Sequence, residues 1–387
     1  MRDRRYDLDW LRVLAMFAVF FFHCVRLFDP LDWHVKDDAE SFAALIIVGF
    51  LDAWLMPIFF LLSGCATWFS LGSRGVGRYL AERFLRLAVP MFTVGALLLL
   101  PPQYYWDGIT NGWYQGSFWG IYPLYFETIV DNARGGFLMF WAGHLWFLYF
   151  LLFISIVCLP LVLLLKSRAG ISLLAKAANL CDRPGGALLA VLPLLAVNLL
   201  LRPVPGEHDL RALVYFLTLY LLGFALPSFE GFTRSAVRNR WLALVLGLGA
   251  FGGIGALLGT GLEPWLEQPL SLAYGGYLAL AALNTWAWIT FFLGLAGKHL
   301  TRGNRFLSYA NEAVLPFYIL HQTAILLVAT WVVTLDWPWG FKWVVLAAVS
   351  FVLIMTTYEG WIRRLNPVRF LLGMRPRKQA DARKGAS

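Results

Sequence analysis

Long runs of apolar residues recur along the chain, and short polar stretches rich in arginine separate them. A helix rises about 1.5 Å per residue and a bilayer core is about 30 Å thick, so an apolar run of about 20 residues predicts a membrane-spanning helix. The chain contains ten such runs: Leu8–Phe28, Ala43–Leu71, Phe84–Pro102, Phe137–Leu165, Ala187–Leu201, Ala212–Phe229, Trp241–Gly261, Leu270–Ala296, Phe306–Leu335 and Gly340–Trp361. The pattern predicts an all-α, polytopic integral membrane protein with about ten transmembrane helices in one bundle.

The basic residues between the runs predict the orientation of the helices, because Lys and Arg concentrate in cytosolic loops. Arg12 lies within the first run. If the first polar segment is cytosolic, the outer side carries six basic residues, namely Arg26, Lys36, Arg134, Arg202, Arg211 and Lys342. The others fall on the inner side. We therefore expect residues 1–372 to form the membrane domain, residues 373–387 to form a basic, disordered tail, and both termini to be cytosolic.

Composition agrees with this class of protein. Of the 387 residues, 59% are apolar and only 14% are charged, and the mean hydropathy is +0.65. This excludes a soluble enzyme, a disordered chain and a disulfide-rich secreted module. The net charge of +9 is interpreted as a topology signal. The predicted partner is therefore a lipid bilayer, and no nucleic acid is expected to bind.

Two polar side chains stand out in the first run, where a charge costs roughly 2.5–3.5 kcal/mol on insertion scales. Arg12 and His23 are eleven residues apart, so on a helix they point within roughly 20° of each other and lie about 16 Å apart along the axis. One interpretation is structural: Arg12 reaches toward the inner interface and His23 caps a packing contact. The other is a lined passage with a cation near the cytosol and a titratable base deeper in the membrane.

The run DLDWLRVLAMFAVFFFH resembles the opening of acyltransferase family 3, whose mark is Arg, ten residues and then His in the first helix. Four further stretches resemble motifs of that family in the same order: Ile58–Gly64, Arg78–Pro90, Gly143–Leu152 and Leu315–Thr323. The resemblance covers nearly the whole chain. Among its branches, the layout is similar to the glucan succinyltransferase branch.

The resemblance implies an enzyme that transfers acyl groups other than aminoacyl groups. The donor would be cytosolic acyl-CoA, either acetyl-CoA or succinyl-CoA, and the acceptor a hydroxyl of a surface glycan or glucan outside the bacterial inner membrane. His23 would be the general base or a transient acyl acceptor, and Arg12 would hold the donor. No permanently bound cofactor is implied. The sequence also contains no metal-site motif.

Other polar positions carry weaker signals. Arg83, Arg86 and Arg78 suit the phosphates of acyl-CoA, although the positive-inside rule also explains them, and Arg78 has the spacing of a helix ion pair with Glu82. Near the outer start of the fourth run, His144 and Trp146 are interfacial residues or contacts for the acceptor. The remaining candidates are the supporting residues Tyr318, His321, Asp52 and Glu359; for the two acids, Arg12 is one candidate partner.

Two other functions stay open at this point. A secondary transporter would use Arg12 and His23 to line its pathway, and substitution of His23 would then affect uptake rather than CoA release. A different membrane acyltransferase architecture, acting on lipids or proteins, is the other.

The aromatic-rich outer loop, Gln103–Gly136, is interpreted as an interface belt or as a sugar contact.

Overall fold

A computed structural model describes residues 4–134, 140–201, 208–259 and 271–377. Its regular structure in these ranges is entirely helical. Several predictions lie outside the described residues: those for the end of the basic tail, for Arg202, for the starts of the fourth and eighth runs and for the end of the seventh run.

The helices follow one another with short connections. In chain order the α-helices are α1 (Tyr6–Val25), α2 (Phe42–Asp52), α3 (Leu55–Ser73), α4 (Val76–Pro90), α5 (Leu100–Thr110), α6 (Ile121–Arg134), α7 (Trp146–Val157), α8 (Leu159–Leu165), α9 (Arg168–Cys181), α10 (Val191–Leu200), α11 (His208–Ala225), α12 (Glu230–Leu258), α13 (Leu272–His299), α14 (Arg305–Val332), α15 (Trp339–Thr357) and α16 (Asn366–Leu371). Two π-helical stretches, Met91–Leu99 and Tyr358–Ile362, continue α4 and α15, and two 3₁₀ stretches, Phe140–Leu145 and Gly186–Ala190, precede α7 and α10.

Each of the ten predicted apolar runs coincides with helix in the described residues. Seven helical stretches there are long and apolar enough to cross a membrane, and an eighth is the pair Ala142–Val157 and Leu159–Leu165, which is bent by 55°. Two shorter apolar helices, Gly186–Leu200 and Leu210–Ala225, account for the fifth and sixth runs. The predicted class, an all-α polytopic membrane protein, is confirmed.

Local sequence explains where the runs break. Pro57 is the third residue of α3, where its missing N–H leaves no helical bond unmade, and the break before it frees the carbonyl of Ala53. The hydroxyl of Thr285 donates to that carbonyl at 2.8 Å. Pro160 sits at the start of α8, directly after the bend.

One predicted loop is wrong in part. Gln103–Gly136 was expected to be an outer loop, but the helix of the third run continues to Thr110, and α6 occupies Ile121–Arg134. Two prolines, at the start of α5, suit the first turn of a helix and do not end it. Gln103 is therefore a buried helical residue.

The chain divides into two compact units. The first comprises residues 1–15, 50–79 and 153–307. Its helices approach closely at small residues: a Cβ on Gly64 would overlap the carbonyl of Tyr220, and one on Gly223 would overlap that of Leu61. Close backbone approach at glycine is the usual way in which membrane helices associate.

The second unit comprises residues 16–49, 80–152 and 308–387. Its core contains aromatic side chains of three helices, with Phe20 5.4 Å from Phe317 and 6.3 Å from Phe351 between ring centroids. Both rings meet that of Phe20 edge to face, which is a favourable arrangement. The unit contains His23, His144 and His321.

Candidate active site

Two of the predicted histidines meet in the second unit. Nε2 of His321, on α14, lies 3.2 Å from Nδ1 of His23, on α1, and the ring centroids are 4.8 Å apart. His321 is fully buried, whereas His23 retains partial exposure. A reactant can therefore reach His23 but not His321.

The hydrogen-bond partners assign the protons of this pair. Nδ1 of His321 lies against the carbonyl oxygen of Tyr318 and therefore carries its hydrogen, which leaves Nε2 as an acceptor. Nδ1 of His23 lies 2.9 Å from the carbonyl oxygen of Val19 and so donates, shared between that oxygen and His321. Nε2 of His23 consequently carries the lone pair, and it makes no hydrogen bond within the described part of the chain.

The third histidine is tied to the same helix. His144 donates from Nε2 to the carbonyl of Ile319 at 3.1 Å, and the hydroxyl of Tyr318 donates back to the carbonyl of His144. The His144 and His321 rings are 5.2 Å apart between centroids. The structure thus brings together four predicted residues: His23, His144, Tyr318 and His321.

Gln103 and Thr323 complete this cluster. The amide nitrogen of Gln103 donates to Nδ1 of His144 at 3.2 Å and to the hydroxyl of Thr323 at 2.6 Å. Thr323 donates to the carbonyl of Leu99 at 3.2 Å. The other amide atom, Oε1 of Gln103, is buried and has no hydrogen-bond partner in the described residues, which leaves one acceptor available inside the cluster.

Gly143 positions His144 by its backbone conformation. Its φ is +47° and its ψ −134°, a region that residues with a side chain rarely adopt. A Cβ at this position would lie 2.9 Å from Cδ2 of Leu100. Both facts require glycine immediately before the histidine.

Arg12 lies in the first unit, on the same helix that carries His23. It lines a cavity of about 290 Å³ together with Arg4, Arg5 and Asp9. Cys65, Ala66, Phe69 and Leu8 form the rest of the lining. Arg12 is 3.3 Å from Asp9, which also pairs with Arg4 at 2.8 Å, and Arg5 pairs with Asp7 at 2.6 Å. Three arginines and one aspartate thus belong to the lining, and Asp7 and Glu230 act on the charge of Arg5 from its surroundings.

The other predicted basic and aromatic residues are placed elsewhere. Arg78, Arg83 and Arg86 lie on α4, and none of them lines that cavity. Glu82 accepts from Arg375 at 3.4 Å. Trp146 begins α7 and packs edge to face on Phe150, with 5.5 Å between centroids.

The partner expected for Glu359 has to be corrected. Arg12 was one candidate, but Glu359 accepts from Arg363 at 2.9 Å, one helical turn later, and from the hydroxyl of Tyr309 at 2.7 Å. A local i, i+4 pair satisfies the carboxylate without a distant cation. Asp52 ends α2 and is exposed.

Sequence reasoning missed Gln103, Thr323, Arg4 and Arg5. The motif LPFYILHQT contains Thr323, but a residue two positions after His321 falls on another face of the helix, so the spacing gave no signal for it. The signal for Gln103 was an amide directly after two prolines, which suggested a loop. No group of three or more His, Cys, Asp or Glu residues suited to a metal ion occurs among the described residues.

The model of one protein family, described as an acyltransferase domain, matches residues 5–359. The chain therefore belongs to this family of acyltransferases, and the resemblance inferred from its motifs is confirmed. The match includes every histidine of the cluster and the arginines of the cavity except Arg4.

The chain is also similar, at low identity, to curated relatives. The chain is 27% identical over 160 residues to glucans biosynthesis protein C of Shigella dysenteriae, which is 40% of this chain and 38% of the relative. The protein of the same name from Salmonella schwarzengrund is 27% identical over 171 residues, 43% of this chain and 41% of the relative. The alignments thus span about two fifths of the relatives' length. No solved structure matches the chain.

Proposed function

We propose that the protein is a membrane O-acyltransferase that moves an acetyl or succinyl group from cytosolic acyl-CoA to a hydroxyl of a periplasmic or cell-surface glycan. The observation that carries the proposal is the unbonded Nε2 of the partly exposed His23, whose Nδ1 is held by Val19 and His321. Membership in the acyltransferase family supports the reaction class, and similarity to glucans biosynthesis protein C supports a glycan acceptor.

In the proposed reaction, Nε2 of His23 accepts the proton of the acceptor hydroxyl while the hydroxyl oxygen attacks the thioester carbonyl of acyl-CoA. The C–S bond breaks, an ester forms, and the imidazolium returns the proton to the leaving thiolate, which departs as CoA. Neutral imidazole is the form that can begin this cycle. An acyl-imidazole relay would use the same nitrogen atom, since Nδ1 is occupied.

The donor site proposed here is the cavity of Arg4, Arg5 and Arg12. Guanidinium groups bind phosphate and carboxylate oxygens with two parallel hydrogen bonds, and CoA and a succinyl group supply such oxygens. Three of the side chains that line the cavity are guanidinium groups and one is a carboxylate, a composition that suits an anionic ligand. Arg78, Arg83 and Arg86 on α4 are proposed as further contacts for the phosphates.

We place the protein in a bacterial inner membrane with both termini in the cytosol. Two observations support this placement. Basic residues are in excess on the side assigned as inner, and the described residues include apolar helices long enough to cross a membrane. This orientation puts the arginines near the N-terminal end of α1 on the side where acyl-CoA is found.

The test is acyl transfer in proteoliposomes with labelled acetyl-CoA and succinyl-CoA and a glucan fraction extracted from cell envelopes. His23→Ala should lower transfer about 10²- to 10⁴-fold, the usual contribution of a general base. His299, an exposed histidine at the end of α13, offers the matched control His299→Ala, which should transfer at the wild-type rate. Equal transfer by His23→Ala would remove His23 from the chemistry.

The donor site is tested in the same assay. Arg12→Ala should raise the KM for acyl-CoA roughly tenfold, since a charged hydrogen bond contributes about 1.5–3 kcal/mol. Arg168→Ala, an exposed arginine at the start of α9, is the control. An unchanged donor KM in Arg12→Ala would exclude the cavity as the donor site.

A further inference from the structure

The connection between α1 and α2, from Arg26 to Ser41, is non-helical for most of its length and yet firmly bonded. Asp29 is fully buried, where it accepts from Arg26 at 2.8 Å and from the backbone N–H of Leu31 at 2.7 Å. The ammonium of Lys36 bonds the carbonyl oxygens of Arg26 and Asp29. Burial lowers the pKa of Lys36, against the opposing effect of Asp29.

The far end of this connection is fixed as well. Asp37 pairs with Lys342 at 2.6 Å, and both side chains are buried. A buried ion pair adds little net stability, because both ions lose their hydration. It does fix geometry, since breaking it leaves an uncompensated charge. Held at both ends, the connection keeps one aromatic side chain in place.

That side chain is Trp33. Its ring centroid is 6.2 Å from the imidazole of His23, and the two planes are tilted by 43°. The indole is partly exposed, and its N–H makes no hydrogen bond within the described part of the chain. The next residue, His34, bonds Asp107 at 2.9 Å, and Asp107 also accepts from Trp113 at 3.0 Å. Trp33 is thus held from both sides, next to the proposed base.

We infer that Trp33 forms the wall of the acceptor site, on which a sugar ring packs while it presents one hydroxyl to Nε2 of His23. The inference rests on the proposed function. A pyranose has a face of C–H groups bordered by hydroxyls, which a flat aromatic ring with a free N–H matches on both counts. Ring atoms about 4 Å from the indole and a hydroxyl about 3 Å from the imidazole fit the observed ring separation.

The site distinguishes a saccharide from a purely apolar acceptor. The surroundings of Trp33 offer polar groups, His34 of the connection and Asp107 of α5, in place of the aliphatic lining that an acyl chain would need. Tyr104 extends the aromatic surface, since its ring lies 4.7 Å from that of Trp113, which bonds Asp107. A glycan of several sugar units would find successive aromatic contacts along this surface.

The experiment compares Trp33→Ala, Trp33→Phe and Trp361→Ala in proteoliposomes. Trp361 is 70% exposed and lies at the end of the last long helical stretch, so its variant controls for loss of an exposed indole. Trp33→Ala should raise the KM for the envelope glucan fraction about tenfold and leave the KM for acyl-CoA within about twofold. Trp33→Phe should keep most of the glucan affinity. Unfolding temperatures in detergent check that the variants fold.

Glucan binding is also measured directly, by calorimetric titration in the absence of acyl-CoA. Loss of binding in Trp33→Ala but not in Trp361→Ala would support the role of Trp33 as the wall of the acceptor site. That result would stand even if the wild type transferred no acyl group, and only the proposed function would then fail. Unchanged binding in Trp33→Ala would overturn the inference. A lower kcat at an unchanged glucan KM would also overturn it, because Trp33 would then act on His23 and not on the acceptor.

Discussion

Nε2 of His321 accepts a hydrogen from Nδ1 of His23, at 3.2 Å, across 298 positions of sequence. One histidine is sealed from solvent and the other is not. The buried imidazole therefore acts on a reactant only through its neighbour, by fixing the tautomer and the orientation of His23. His321 is a positioning residue in the proposed mechanism.

His321→Ala should lower kcat about 10- to 100-fold with little change in the KM for acyl-CoA, because His23 loses the acceptor that orients it. His321→Gln should recover part of that loss, since an amide oxygen can accept the same hydrogen. The pH–rate profile is the readout that a merely structural role would not move: its acid limb should shift in His321→Ala and return toward the wild type in His321→Gln. A fall in rate that tracks protein unfolding alone would contradict this role.

Transfer should also fall as the pH is lowered. A general base works only while its imidazole is neutral, so acidification removes the active form and raising the pH restores it. In kcat/KM, the wild type should show a single acid limb of unit slope. A control with the exposed-histidine variant His299→Ala should reproduce this limb. A rate that shows no acid limb at any pH down to the acid unfolding of the protein would argue against an imidazole base.

Gly143→Ala should destabilise the protein by about 1–3 kcal/mol, because alanine pays for the left-handed backbone and meets Leu100 as well. Gly112 is the matched control: its φ is +76°, and a Cβ there has nothing within 4 Å. The difference in unfolding temperature between the two alanine variants measures what the ψ of −134° and the Leu100 contact add at Gly143. Equal losses would show that neither adds to the cost of a positive φ.

Breaking the buried pair of Asp37 and Lys342 should cost about 3–5 kcal/mol, because either single change leaves the other charge buried. The double variant Asp37→Leu, Lys342→Met should regain most of this stability, since no charge remains. Chemical unfolding of the four proteins in detergent gives the coupling. If each single variant were as stable as the wild type, the two charges would have to be solvated.

The apolar runs predicted most of the fold. Each membrane helix satisfies its own backbone hydrogen bonds and leaves a continuous apolar run in the sequence. Arg12 and His23 were readable for the complementary reason, since each is a costly side chain inside such a run. The meeting of His23 with His321 depends on tertiary packing and has no local signature. The two prolines before Gln103 suggested a loop and concealed it. The spacing of Glu359 and Arg363 indicates an i, i+4 pair, although the sequence analysis left the partner open and considered Arg12.

The π-helical stretch Met91–Leu99 has a consequence for insertions and deletions. A π-helix takes up more residues per turn than an α-helix, so it sets the rotational phase of the α-helix that follows. Deleting one residue from this stretch would turn α5 by about 100° about its axis. Gln103 would then face away from His144, and Asp107 from His34. The length of residues 91–99 is therefore as constrained as the identity of the polar residues that follow it.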